Sequence, residues 1–182
     1  MSKFKTNYLK KLIAIVIFGI AFGFVEAAVV YYLRHLLNFK YNYNVRSYRM
    51  ILNLGFISFI KPLHPVLLNN AITKVEFVRE SATIVMLITL SYLAASNFKK
   101  RVAAFLISFA CWDIFYYVFL KILTGWPSGL NTKDIYFLIP VVWVGPVITP
   151  LIISTILLIS GVIIFLRKDN ISKIKKETKL SI

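Results

Sequence analysis

An aspartate in the middle of an apolar run long enough to cross a bilayer constrains this chain more than any other feature. The stretch from Val102 to Lys121 reads VAAFLISFACWDIFYYVFLK, with Asp113 near its centre and Lys121 at its end. About 20 residues rising 1.5 Å each cover the roughly 30 Å hydrocarbon core. A carboxylate at a helix centre costs roughly 2.5 to 3.5 kcal/mol on insertion scales, so it has to be paired, hydrated or neutralised. Its partners must come from elsewhere in the chain.

Composition says what surrounds it. Of the 182 residues, 59% are hydrophobic and 16% charged, with a mean hydropathy of +0.76, well outside the roughly 45 to 50% apolar content of soluble domains. An integral membrane protein follows, read as one membrane domain over residues 1–182 without room for a separate soluble one. A net charge of +15 would suggest nucleic acid in a soluble chain. Here the cations flank apolar runs, so orientation in the lipid bilayer accounts for them and no nucleic-acid partner is expected. Cys111 is the single cysteine, and His35 and His64 are the two histidines, so there is no internal disulfide and no CxxC or HExxH signature.

Four full spans are predicted, over about 12–33, 72–96, 102–121 and 146–166. The first follows Lys3, Lys5, Lys10 and Lys11 and contains Glu26, which sets it apart from a cleaved signal peptide. Gly19, Gly23 and Ala27 form a small-residue stripe at helical spacing, a close-packing face that would also serve as a seam in a homo-oligomer. Met50 to Ile60 is too short to cross and is ended by Lys61, Pro62 and Pro65, which predicts a short interfacial or re-entrant helix over about 50–60. The apolar stretch from Ile135 to Leu166 would be roughly 48 Å long as one helix. Pro140, Gly145, Pro146 and Pro150 interrupt its first half, so a proline-broken segment over about 135–150 is expected before the last span. The fold class expected is therefore all-α, a transmembrane helix bundle followed by a basic tail over 167–182.

Four spans put Lys3, Lys5, Lys10, Lys11, Lys99, Lys100, Arg101, Arg167 and the lysines of the tail on one side, which the positive-inside rule makes cytoplasmic. Both termini are then cytoplasmic in a multi-pass protein of the cell membrane. The same topology gathers acids in the outer half of the bilayer. Glu76 and Glu80 share a helix face, and Arg79 stands three residues beyond Glu76, within pairing reach. Tyr117 follows Asp113 by one turn and Lys121 follows Tyr117 by another, extending a polar stripe. The candidate ligand site comprises Glu26, Glu76, Arg79, Glu80, Asp113, Tyr117 and Lys121. The oxygens of Glu26, Glu80 and Asp113 would suit a hard divalent metal ion. Blander readings stand beside this one: a snorkelling cluster at the entrance of the second span, and tyrosines serving as an interface belt.

The runs FGFVEAAVVYYLR, EFVRESATIVML and CWDIFYYVFLKILTGWPSGLNTKDIYFLIPVVWVGPVITP resemble a family of small prokaryotic polytopic membrane proteins with no assigned activity. The resemblance implies membrane residence and no mechanism. Three function classes follow from the residues: a site that binds a cation or small polar ligand, in the service of transport; an accessory or assembly subunit whose buried charges specify packing; and a membrane-embedded enzyme acting on a lipid-linked substrate, with Asp113 or Glu80 as general base.

Overall fold

The structure, a computed structural model, describes residues 3–36, 48–63 and 70–167. Beyond Arg167 the expected basic tail lies outside the described residues, as do residues 37–47 and 64–69. Four helices are present, α1 (Lys3–Leu36), α2 (Asn70–Ala94), α3 (Phe98–Thr124) and α4 (Ile148–Leu166). Between α1 and α2 run β1 (Tyr48–Asn53) and β2 (Ser58–Pro62), and between α3 and α4 run β3 (Lys133–Phe137) and β4 (Val142–Pro146). Each helix contains a stretch long and apolar enough to cross a membrane: Asn7–His35, Ala71–Ala94, Phe98–Thr124 and Ile148–Leu166. Val75, Val78, Leu93, Ile122 and Ile163 point outward and are exposed, the pattern of helices whose periphery meets lipid. Four such helices are compatible with a multi-pass membrane protein.

The centre of the bundle is α3, against which α1, α2 and α4 each pack. Close approach of α1 depends on its glycines. A Cβ at Gly19 would lie 2.6 Å from Cys111 Cβ, and one at Gly23 would lie 2.9 Å from the Trp112 carbonyl oxygen. Gly161 does the same for α4, where a Cβ would come within 2.9 Å of Ile107 Cγ1. The stripe expected as a close-packing face lies against α3 of the same chain, with Ala27 fully buried. Small residues gather helices wherever van der Waals contact replaces the hydrophobic effect, and within one chain the partner is already at hand. Ile15, Ala103, Ala104, Ile107, Cys111 and Phe165 fill the adjoining core, so Cys111 is a packing residue.

One end of the bundle is basic. The Asn97 side chain accepts from the Lys100 backbone N–H at 2.9 Å and caps α3, so Lys99, Lys100 and Arg101 form its first turn instead of a connecting loop. Lys11 Nζ donates to the Ala94 carbonyl at 3.0 Å and Arg101 Nε to the Ala95 carbonyl at 2.9 Å, satisfying the end of α2. The Lys100 ammonium lies 3.5 Å from the centre of the Tyr8 ring, and Tyr8 in turn meets Phe165 edge-on. The first turns of α1, the α2–α3 turn and the last turn of α4 therefore share this end.

The opposite end overturns the all-α expectation. There the strands form one antiparallel sheet in the order β1-β2-β4-β3. Met50 to Ile60 is not an interfacial helix but a hairpin. Asn53 Oδ1 accepts from Gly55 N at 2.8 Å and Ser58 Oγ at 3.2 Å, Gly55 adopts φ 84°, and Leu54 N donates to the Ile57 carbonyl. A mostly apolar run of eleven residues suits one short helix or two strands with a turn between them, and the turn residues Asn53 and Gly55 decide for strands. Nor is residues 135–150 a broken helix: it is largely the β3–β4 hairpin, with Ile135 opposite Val144 and Phe137 opposite Trp143. Pro140 falls in its loop, Pro146 at a strand end and Pro150 in the first turn of α4, positions that need no backbone donor. Ile60, Val142 and Val144 are buried in the sheet, with Ile135 and Leu138 packed beside them.

Enlarging Gly23 to leucine should push α1 off α3 and cost about 1 to 3 kcal/mol. A melting curve of the purified variant in detergent checks this, and a melting temperature equal to that of the wild type would contradict the packing described.

Candidate functional site

A cavity of about 110 Å³ lies among α1, α2, α3 and the β3–β4 hairpin. Its position follows from helix arithmetic. Glu26 lies ten residues before the end of α1, Glu80 ten residues into α2 and Asp113 eleven before the end of α3, each about 15 Å from the sheet-bearing end of its helix. On α2 the offsets of four and three bring Glu76, Glu80 and Thr83 onto one face, and on α3 Asp113 shares a face with Tyr116 and Tyr117.

The first polar cluster joins α1 to α2. Arg79 Nη1 donates to both carboxylate oxygens of Glu26 at 2.6 and 2.7 Å, while its Nε donates to Glu76 Oε2 at 2.7 Å. One guanidinium thus serves two carboxylates, and its planar fork of donors makes that possible. The second joins α2 to the sheet. Glu80 accepts the Leu138 backbone N–H with both oxygens, at 3.0 and 3.1 Å. A buried backbone N–H beyond the last strand pair needs an acceptor, and this carboxylate supplies one to Leu138.

Asp113, the aspartate of the central span, is held by α4: Ser154 Oγ donates to its Oδ2 at 2.7 Å. One turn on, the Tyr117 hydroxyl donates to Asp134 Oδ2 at 2.9 Å, joining α3 to β3. Asp134 is 2% exposed and its other carboxylate oxygen has no hydrogen-bond partner among the described residues. Burial drives its pKa from 3.8 up to about 7, against the opposing hydrogen bonds from Tyr117 and the Ile135 backbone and the positive charge of Arg34; the Asp113 charge adds to the rise. Tyr136 donates to the Pro146 carbonyl at 2.6 Å, and burial pushes its hydroxyl up to about 12, so it stays a neutral wall of the cavity.

Of the residues singled out in the sequence, Glu26, Glu76, Arg79, Glu80, Asp113 and Tyr117 surround this one cavity. Lys121 does not. Its Nζ donates to the Gly125 and Pro127 carbonyls, both at 2.7 Å, finishing the C-terminal turn of α3 beside the left-handed Gly125. Among the described residues no group of three or more His, Cys, Asp or Glu side chains is placed to hold a metal ion. Glu26 is committed to a guanidinium, and Glu80 and Asp113 face different elements.

Sequence reasoning missed Arg34, Thr83 and Tyr136 in the cavity wall, and Ser154 and Asp134 as partners of its residues. Ser154 had a signal, being a hydroxyl in the middle of an apolar span. Leu138 had none, because what it contributes is a backbone N–H.

Changing Arg79 to glutamine leaves Glu26 and Glu76 facing each other without their shared cation. A loss of about 3 kcal/mol is expected, read as a lower melting temperature and partly recovered by adding Glu26→Gln. Asp134 binds its proton more tightly in the folded chain than in the unfolded one, so the stability it contributes falls as pH rises from 3.8 to about 7 and is level above that. Denaturation of wild type and Asp134→Asn between pH 4 and 8 should therefore show the wild type losing stability relative to the variant over that window; parallel curves would refute it. Compared with known protein families, curated proteins and solved structures, the chain matches none.

Proposed function

We propose that this is a multi-pass protein of the cell membrane with both termini cytoplasmic, whose pocket in the outer half of the bilayer binds a cation or small polar ligand. Transport of that ligand is the activity the reading leads to. The orientation rests on the cations: the end that gathers Lys10, Lys11, Lys99, Lys100, Arg101 and Arg167 faces the cytoplasm, as the positive-inside rule requires. The pocket then lies toward the opposite surface.

One observation carries the ligand reading. Four carboxylates, from Glu26, Glu76, Glu80 and Asp113, and two guanidiniums, from Arg34 and Arg79, line a single cavity. Arg79 answers Glu26 and Glu76, whereas Glu80 and Asp113 take their hydrogen bonds from a backbone N–H and a hydroxyl, neither of them charged. Negative charge in excess at membrane depth is costly, and a bound cation removes the cost.

Glu80→Gln and Asp113→Asn test this. Thermal-shift titrations of purified protein with sodium, magnesium and ethanolamine should raise the melting temperature of the wild type with at least one of them, and the response should disappear in both variants. If no cation shifts the wild type, and the variants change only the intrinsic melting temperature, the charges serve packing and the chain is an accessory subunit.

A further inference from the structure

Two features of the cavity remain unused once its ion pairs and the ties between elements are accounted for. The first is a donor. Trp112 lines the cavity at 6% exposure, and its indole Nε1 is buried without a hydrogen-bond partner among the described residues. The rings packed against it, those of Phe22, Phe109 and Phe137, carry no acceptor. A buried donor left unmade forfeits its hydration with nothing in return, so an indole N–H in a cavity wall calls for an acceptor that arrives with a ligand. The second is spare acceptor capacity. Glu80 takes hydrogen bonds from the Leu138 backbone N–H and Asp113 takes one from the Ser154 hydroxyl, all from neutral donors, whereas an ionised carboxylate offers about four acceptor sites. The cavity of about 110 Å³ is several times larger than one water needs, so a molecule of a few heavy atoms fits among these walls.

We propose that the cavity takes a small primary amine that also carries a hydroxyl or carbonyl oxygen, its ammonium hydrogen-bonded to Glu80 and Asp113 and its oxygen accepting from the Trp112 indole N–H. This rests on the ligand reading above and names its class. An ammonium brings three donors and no acceptor, and each donor can turn to a separate carboxylate. Acids held by different elements, Glu80 on the sheet side and Asp113 against α4, therefore serve it. A hard divalent ion asks for about six or more oxygens converging on one point, and among the described residues no group of three His, Cys, Asp or Glu side chains is placed to begin such a shell. The wall also presents the rings of Trp112, Tyr116 and Tyr136, surroundings in which an organic ammonium is stabilised by ring faces. Trp112 and Asp113 are consecutive on α3, so the oxygen and the ammonium that they meet belong to one short molecule.

Thermal-shift titrations of the full chain in a neutral maltoside detergent test this, with ethanolamine, ethylamine, sodium and magnesium as probes at matched ionic strength and pH. Ethanolamine should bind about threefold to tenfold tighter than ethylamine, the worth of one neutral hydrogen bond, and ethylamine tighter than sodium. Trp112→Phe keeps a ring and removes the N–H, so it should bring ethanolamine down to the level of ethylamine. The double variant Glu80→Gln, Asp113→Asn should abolish the response to both amines. The wild-type comparison of the two amines needs no variant, so it decides the matter even where Trp112→Phe fails to fold. Equal binding of the two amines to the wild type, or a Trp112→Phe variant that weakens both alike, overturns the proposal. If sodium or magnesium shifts the melting temperature and neither amine does, the site holds a metal ion: this inference falls and the ligand reading above stands. If none of the four probes binds, both fall.

Discussion

A guanidinium shared between two carboxylates holds together the part of this protein that packing leaves apart. α1 and α2 both rest on α3 yet barely meet, and Arg79 reaches from one to the other to bind Glu26 while keeping Glu76 on its own helix. Lysine is not equivalent, because its donors radiate from one nitrogen, whereas the guanidinium directs Nε to one carboxylate and Nη1 to the other. Opening the bundle on this side leaves room for the cavity. Closing it by direct helix contact, as the glycines do between α1 and α3, would have removed it.

The sheet extends the same principle. A hairpin placed against the helices buries backbone groups that need partners, and strand pairing with β2 and between β3 and β4 supplies them. Glu80 accepts the N–H of Leu138, just beyond the end of β3, and Tyr117 secures Asp134 at the other end of the strand. Each polar tie therefore links a different pair of elements: α1 with α2, α2 with the sheet, α3 with the sheet, and α3 with α4 through Asp113 and Ser154. Their common feature is the cavity between them, so the groups that bind the fold together also define what could enter it.

The two ends of the bundle are built differently. At the basic end small residues and aromatic rings pack tightly and the cations close helix termini. Toward the sheet, carboxylates accumulate and a cavity opens. Such a division is what a chain needs if one end is to anchor it and the other to receive a ligand.

Much of this was legible in the residues. The length of four apolar runs marks four helices able to cross a membrane, because hydrocarbon thickness sets a minimum that few other structures need. The cost of Asp113 in an apolar run demanded a polar partner, and the three-residue offset from Glu76 to Arg79 already contained one ion pair. The sheet was not legible in the same way. Short Ile- and Val-rich runs between prolines fit a buried helix as well as a strand until their pairing partners are known, and one of the two partners of β4 is β2, more than eighty residues away in the chain. Lys121 continued a polar stripe in sequence but turned to the Gly125 and Pro127 carbonyls just beyond its own helix, which lie nearer than any distant carboxylate. What the amino-acid order determined was the number of membrane-length helices and the presence of acids that had to be answered. Which group answers each acid depended on how the helices rotate about α3 and on a backbone N–H at Leu138, a donor that every residue but proline carries and that therefore leaves no mark in a sequence.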